Sequence, residues 1–346
     1  MQNVVKSAHL HNSIRMLSKL NGTRLWNVFK LLVSFHLSLQ RGRPTWMALP
    51  SALSIEPTTS CNLRCPECPS GLRSFTRATG MLSMDLFKKT IDEVHEHAFF
   101  LTLYFQGEPY LNPQFLDMVK YASQRNMYVS TSTNAHYLSE ENARKTVESG
   151  LDKLIISIDG TTQETYEQYR VGGQLNKVLE GARNIVAWKK KLKSRTPFVV
   201  FQYLVVRPNE HQVQEAEVLA KEMGVDDIVF KTAQIYDYEK GSDLIPENEK
   251  YARYHKNADG TFSFKNKLLN QCWKMWQSCV ITWDGRIVPC CFDKDAQHVL
   301  GNINETSFRR IWYSEAYQKF RKSILTSRSE IDICTNCTEG TKVWAD

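Results

Sequence analysis

Between about residue 50 and residue 235, short apolar runs rich in β-branched and aromatic residues alternate with longer segments whose apolar positions recur every three or four residues. The short runs are "LSIEPT" near 55, "LTLYFQ" near 103, "MYVSTST" near 130, "KLIISID" near 156, "FVVFQYLVV" near 202 and "DIVFKT" near 230. Their length and composition predict strands. The helical period predicts helices over Met84–His97, Pro113–Arg125, Ser139–Ser149, Leu175–Lys193 and Glu210–Met223, the first opening on Ser83 as N-cap. Six strand–helix units in succession predict an α/β fold with a parallel sheet, closed or partly closed into a barrel. Loops after the C-terminal strand ends carry the chemistry in such folds. Those loops hold Cys61 after the first strand, Gln106, Gly107 and Glu108 after the second, Asn134 after the third, Asp159 after the fourth, and Lys231 to Gln234 around the sixth.

Outside this region the pattern changes. Residues 238–264 are polar and turn-rich and read as a linker. Beyond them, "CVITWDGRIVPCC" is two short β runs around Asp284 and Gly285, a strong hairpin signal. The expected organisation is an arm over 1–50, a core over 51–237, the linker 238–264 and a small cysteine-bearing domain over 265–346. In the arm, "RLWNVFKLLVSFHLSLQ" places Leu25, Val28, Phe29, Leu32 and Leu39 near one helical face, although Leu31, Val33, Phe35, Leu37 and Leu39 also fit a period of two. The helical period is favoured.

Charge separates the arm from the rest. Residues 1–55 hold seven basic and no acidic residues, so the remaining 37 basic residues balance 37 acidic ones and the whole +7 lies in the arm. Asn27, Lys30 and His36 interrupt its apolar span, which argues against a transmembrane helix, and the small-residue cleavage site of a secretory signal is missing. Three readings remain: an apolar helix packed on the body, a basic amphipathic helix lying on an anionic membrane surface, or an organelle transit peptide. Nucleic acid is a poor partner for a body that is neutral overall. A chain of 346 residues needs no disulfide staples, so its nine cysteines read as metal ligands in a cytoplasmic protein, with peripheral membrane association through the arm as the alternative location.

Cys61, Cys65 and Cys68 form C-x3-C-x2-C within eight residues, with no fourth cysteine nearby. Structural zinc asks for a closed set of four ligands, and a cubane iron–sulfur cluster also takes four thiolates, one per iron. Three thiolates leave one iron open to a substrate or cosubstrate, and Pro57, Pro66 and Pro69 stiffen the loop that carries them.

"CNLRCPEC" resembles the cluster-binding signature of the radical S-adenosylmethionine (radical SAM) enzymes, and the likeness extends over roughly residues 50–235. "YFQGEPYL" resembles the family's Gly-Gly-Glu segment, with Gln106 in place of the first glycine; "STSTNAH" and "SIDGTTQETYEQYR" resemble its third and fourth strand ends. The residue before the last cysteine, usually aromatic in the family, is Glu67. The resemblance implies a partial (β/α)6 radical SAM barrel and a 4Fe-4S cluster on Cys61, Cys65 and Cys68. It further implies S-adenosyl-L-methionine bound through Gly107, Glu108, Asn134, Ser157, Asp159 and Arg170, with Glu108 receiving the amino group and Arg170 the carboxylate. The implied activity is reductive cleavage of SAM to a 5'-deoxyadenosyl radical that abstracts hydrogen, with electrons from a partner such as flavodoxin or ferredoxin.

Cys272, Cys290, Cys334 and Cys337 are separated by 17, 43 and 2 residues, in a stretch similar to the SPASM/twitch extension of many radical SAM enzymes. This implies a second, auxiliary 4Fe-4S cluster, with Cys291 as the alternative to Cys290 and Cys279 as a packed thiol. A zinc ribbon is the plainer alternative, since tetrahedral sulfur suits both.

A fully ligated auxiliary cluster is a sensible acceptor for an electron, so the leading reading is oxidation of a hydroxylated small or carrier-bound metabolite, with Lys231, His136 and Tyr236 as candidate bases. The alternatives are a peptide-modifying maturase, of the ribosomal-peptide or sulfatase type, and a non-enzymatic zinc-stabilised binding module.

Overall fold

Six parallel strands form because each apolar run is followed by an amphipathic helix that returns the chain to the same sheet edge. A computed structural model describes residues 2–340. Its strands are β1 (Ala52–Ile55), β2 (Phe100–Thr102), β3 (Tyr128–Thr133), β4 (Lys153–Ser157), β5 (Phe198–Val205) and β6 (Asp227–Thr232). They pair in sequence order, all parallel, and β1 does not meet β6, so the barrel is open. The expected helices are present, the first capped as expected, with Ser83 Oγ accepting the Leu86 N–H at 3.2 Å; Ser139 caps in the same way, and a further short helix, Gln163–Tyr169, is capped by Thr162.

The C-terminal hairpin is part of the same sheet. After the separate ribbon of β7 (Tyr254–Lys256) and β8 (Phe262–Phe264) come β9 (Val280–Ile281), β10 (Arg286–Val288) and β11 (Gly301–Asn302). β9 pairs parallel with β1, placing Ser54 opposite Val280 and Ile55 opposite Ile281, and the sheet grows to nine strands in the order β11-β10-β9-β1-β2-β3-β4-β5-β6. The turn between β9 and β10 is the expected one, with Gly285 at φ +86°.

Residues 238–264, expected as a linker, are folded: Ile245, Ala252 and Tyr254 are buried with Leu63, Cys65 and Tyr169 of the barrel. Their apolar residues are too sparse for a periodic signal, yet they share one buried cluster with residues of the barrel. Met1 and residues 341–346 of the expected C-terminal range lie outside the described residues.

The arm is two helices, Gln2–Leu17 and Gly22–Arg41, and it is packed on the body. Arg24 is 2% exposed and its guanidinium donates to the carbonyls of His95, Asn126 and Arg125. Arg15 donates to Asp152 at 2.6 Å, just before β4. The N-terminal ends of barrel strands are thus closed by two cations, Arg24 satisfying backbone carbonyls and Arg15 neutralising the buried Asp152 carboxylate. Further along, Phe35 sits edge-on against Trp273 and Trp276 at 5.3 and 5.4 Å, and the indoles of Trp276 and Trp312 donate to Thr45 and Ala48 carbonyls. The arm therefore joins the barrel to the C-terminal module.

Candidate functional site

β1 ends at Ile55, and the loop that follows is fixed before it reaches the cysteines. Glu56, fully buried, takes two hydrogen bonds from Arg77 at 2.6 and 2.8 Å and one from the Trp283 N–H at 3.2 Å. The Glu108 N–H donates to Ser60 O at 2.7 Å, and the Arg64 N–H to Val171 O at 3.0 Å. Two glycines permit the close approach. A Cβ on Gly71 would lie 2.5 Å from the Cys65 nitrogen, and one on Gly107, at φ +73°, would lie 2.4 Å from Thr58 O.

Cys61, Cys65 and Cys68 then line one cavity of about 240 Å³ together with Gly107, Glu108, Asn134, Ser157 and Arg170. The sequence-derived set is brought together, with one difference. Asp159 does not line the cavity but lies beneath it, paired with the Arg170 guanidinium and accepting the Leu204 N–H at 2.7 Å. Burial works against the Arg170 charge, and Asp159 together with Cys65, Tyr166 and Tyr169 outweighs it, so the guanidinium stays charged at the cavity wall. Glu108 accepts from Thr133 Oγ1 at 2.7 Å, from the Asn134 N–H at 2.7 Å and from the Tyr110 N–H at 3.3 Å. Burial pushes its carboxyl up to about 7 against those hydrogen bonds. Burial also pushes the Cys61 thiol up to about 11; iron coordination deprotonates such a thiol outright.

The three sulfurs are tied to separate walls: Asn134 Nδ2 lies 3.9 Å from Cys61 Sγ, Arg170 Nη1 3.9 Å from Cys65 Sγ, and Gln106 Oε1 3.9 Å from Cys68 Sγ. Among the described residues no three His, Cys, Asp or Glu side chains close on one point as ligands of a single ion do. A cubane takes each thiolate at a different iron, and three thiols ringing a cavity fit that demand.

The candidate bases fare differently. His136 is occupied at both ring nitrogens: Nδ1 lies 2.9 Å from Asn134 O, and Nε2 accepts the Gln174 N–H at 2.8 Å. It props the loop after β3. Lys231 is exposed on β6 and lines neither this cavity nor the next. Tyr236 lies elsewhere. It lines a second cavity of about 530 Å³, between residues 234–240 and Phe292, Asp332, Ile333, Thr335 and Asn336 of the C-terminal module.

At the rim of that cavity stands a residue the sequence reading missed. Lys294 Nζ donates to Tyr236 OH at 2.9 Å and to Gln234 Oε1 at 3.2 Å, and Arg77 Nε holds the Lys294 carbonyl at 3.1 Å. Burial pulls the Lys294 ammonium down, opposed by the neighbouring Cys68 and Cys291. Its position three residues after Cys291 was the available signal. Glu67 accepts the Tyr236 N–H at 3.0 Å, so the residue that departs from the usual aromatic ties the three-cysteine loop to this cavity.

In the C-terminal module Cys272, Cys334 and Cys337 are buried, Cys290 is half-buried near Cys272 and Cys337, and Cys291 is exposed beside Lys274 and Glu339. Arg328, buried, places Nη2 3.5 Å from Cys337 Sγ and donates to Gln271 and Glu339 carbonyls, a fixed cation facing the thiols. A Cβ on Gly340 would lie 2.4 Å from Cys272 Sγ. Cys279 is 1% exposed beside Tyr317, and burial pushes its thiol up to about 12, as suits a packed residue.

Two family models match: the radical SAM superfamily over residues 55–216 and SPASM, an iron–sulfur cluster-binding domain, over 272–338. The chain belongs to the radical SAM superfamily and carries a C-terminal SPASM domain. It is a radical SAM enzyme whose cofactors are S-adenosylmethionine, a 4Fe-4S cluster and an auxiliary iron–sulfur cluster, which removes the non-enzymatic zinc module from consideration. It is similar to the tungsten-containing aldehyde ferredoxin oxidoreductase cofactor-modifying protein of Pyrococcus furiosus, 27% identical over 316 residues that cover 83% of this chain and 86% of that one. It is also similar to the PqqA peptide cyclase of Bradyrhizobium diazoefficiens, 27% identical over 205 residues, covering 58% of this chain and 51% of the cyclase. Its fold is shared with Streptococcus suis SuiB bound to precursor peptide SuiA, at TM-score 0.61 and 13% identity, over 87% of this chain and 72% of the other.

Proposed function

We propose that this enzyme is a maturase that modifies a peptide substrate through radical chemistry. The observation that carries the reading is the second cavity, walled on one side by residues 234–240 at the barrel mouth and on the other by the C-terminal module. Its volume of about 530 Å³ falls within the range of ligand sites, and its walls offer Gln234, Asp237, Asn336 and Thr335 to a polar chain. The likeness to a peptide cyclase supports it. The expected oxidation of a hydroxylated small metabolite gives way, because the relatives are described as a cofactor-modifying protein and a peptide cyclase.

Within this reading Cys61, Cys65 and Cys68 hold the first cluster, and Cys272, Cys290, Cys334 and Cys337 the auxiliary one. Cys290 is preferred to Cys291 because it is half-buried and faces both Cys272 and Cys337, whereas Cys291 is exposed and has Cys337 but not Cys272 beside it. SAM with the reduced cluster supplies a 5'-deoxyadenosyl radical. The chain supplies position: Glu108 receives the ammonium of SAM, Arg170 its carboxylate, and Asn134 and Ser157 its ribose hydroxyls. Asp159 is a positioning residue that holds Arg170. Electrons come from a reducing partner such as flavodoxin or ferredoxin.

The test is co-expression with short peptides encoded beside the gene, followed by anaerobic turnover with SAM. The expected result is 5'-deoxyadenosine formation stimulated by one peptide, with a mass change in that peptide. Stimulation by a polyhydroxylated metabolite while every peptide stays unmodified restores the oxidation of a small alcohol.

A further inference from the structure

The helix Gly22–Arg41 buries its polar face. Arg24, Asn27, Ser34 and Ser38 are buried against the body with Leu31 and Phe35, while Leu25, Trp26 and Phe29 are 53, 60 and 52% exposed. On the preceding helix, Gln2–Leu17, the apolar residues Leu10, Ile14 and Leu17, spaced as one helical stripe, are likewise 62, 54 and 58% exposed. Trp26 and Phe29 stack on each other at 5.2 Å in the solvent. Of the 16 exposed large apolar side chains among the described residues, eight fall in the first 47 positions. Singly exposed apolar residues are ordinary, but a concentration of this kind marks a docking surface.

Charge selects the occupant. No acidic residue occurs before Glu56, and the arm carries the whole net charge of +7. Of its cations, Lys19 and Arg24 are buried and Arg15 is paired with Asp152, whereas Arg41 and Arg43 are exposed and Lys30 is partly so. A second copy would set this basic surface against itself. An apolar stripe with an indole, flanked by arginine and lysine, is instead complementary to a bilayer interface, where the indole sits at headgroup depth and the cations meet anionic lipid. No helix among the described residues is long and apolar enough to cross a membrane, so the contact is peripheral. We infer that the two N-terminal helices dock this enzyme on an anionic lipid surface through Leu10, Ile14, Leu17, Leu25, Trp26 and Phe29. Because Arg15 and Arg24 anchor the helices at the N-terminal strand ends, the docked face lies at the barrel end opposite the three cysteines. The enzyme is held at the membrane with its SAM site turned to the aqueous side.

The full chain is sedimented with vesicles of phosphatidylcholine containing ~30 mol% phosphatidylglycerol, and with phosphatidylcholine alone. The expected result is binding to the anionic vesicles about tenfold above the neutral ones, reduced to the neutral level by added salt and by the combined substitution Leu25→Ser, Trp26→Ser, Phe29→Ser. Unchanged melting and iron content show that the variant is folded. Protein that stays in the supernatant with both vesicles, or a serine variant that binds as the parent does, overturns the inference. So does a parent that is dimeric by sedimentation velocity and becomes monomeric on substitution without binding vesicles, which assigns the face to a second copy.

Discussion

Glu108 meets Asn134 across two strand ends: its Oε2 accepts the Asn134 N–H at 2.7 Å, while Oε1 accepts Thr133 Oγ1 at the same distance. The pair ties the loops after β2 and β3 at the point where three cysteines converge. The carboxylate is desolvated before any ligand arrives, and its charge is compensated mainly by hydrogen bonds, with a smaller contribution from the Arg170 guanidinium.

That arrangement has a pH signature. The Glu108 carboxyl titrates at about 7 in the folded protein against an ordinary 4.5, so between these values the native state holds a proton that the unfolded chain has released. Its stabilising contribution is complete below about 4.5 and is lost as pH rises through 7, at most about 3 kcal/mol. Glu108→Gln cannot ionise. Thermal melting of variant and parent without SAM is expected to diverge in favour of the variant from pH 5 to pH 8, while the variant loses SAM binding; a difference constant with pH would contradict the assignment.

Arg170 and Asp159 form a buried pair, with side chains 17 and 0% exposed. Asp159→Asn leaves the guanidinium uncompensated and is expected to cost about 3 kcal/mol in denaturant unfolding. Arg170→Lys keeps the charge but loses the fork geometry, so SAM affinity is expected to fall with a smaller loss of stability. Equal losses of stability in both variants would contradict this division of roles.

The Glu56–Arg77 pair reaches both halves of the molecule, since Glu56 also accepts from Trp283 and Arg77 holds the Lys294 carbonyl. Arg77→Met is expected to destabilise by about 3–5 kcal/mol. Restoration in the double variant Glu56→Leu, Arg77→Met is expected to be large in stability but not in product formation, because Lys294 loses its anchor. Full recovery of both would make the pair purely structural.

Gly107 sits at φ +73° with no room for a Cβ between Thr58 O and Ser60 O. Gly107→Ala is expected to displace the chain before Cys61 and to cost more than about 2 kcal/mol, read as a lower melting temperature together with reduced iron. Normal iron content would show that the loop adapts.

The barrel was legible because its strands are short runs rich in β-branched and aromatic residues and its helices keep an apolar position every three or four residues, two of them capped by Ser83 and Ser139. The convergence of Cys61, Glu108, Asn134 and Arg170 on one cavity was legible because strand ends leave short, spaced motifs. The parallel pairing of β9 with β1 was not, since Val280 and Ile281 form a two-residue strand whose partner lies more than 200 residues earlier. The inverted face of the Gly22–Arg41 helix was hidden for a related reason: Arg24 is buried by carbonyls of His95, Arg125 and Asn126, which no local pattern announces. Asp159 was placed at the right strand end, but its engagement with Arg170 and Leu204 follows from packing alone.

The central claim is that three thiolates hold a cluster whose fourth position accepts SAM, while four others hold an auxiliary cluster. The most direct measurement is electron paramagnetic resonance of anaerobically reduced Cys272→Ala, Cys290→Ala protein, with and without SAM, alongside iron analysis. The account predicts about four irons per chain in place of about eight, one cluster signal that shifts when SAM is added, and SAM cleavage without product. A signal indifferent to SAM, or loss of all iron on these substitutions, would contradict it.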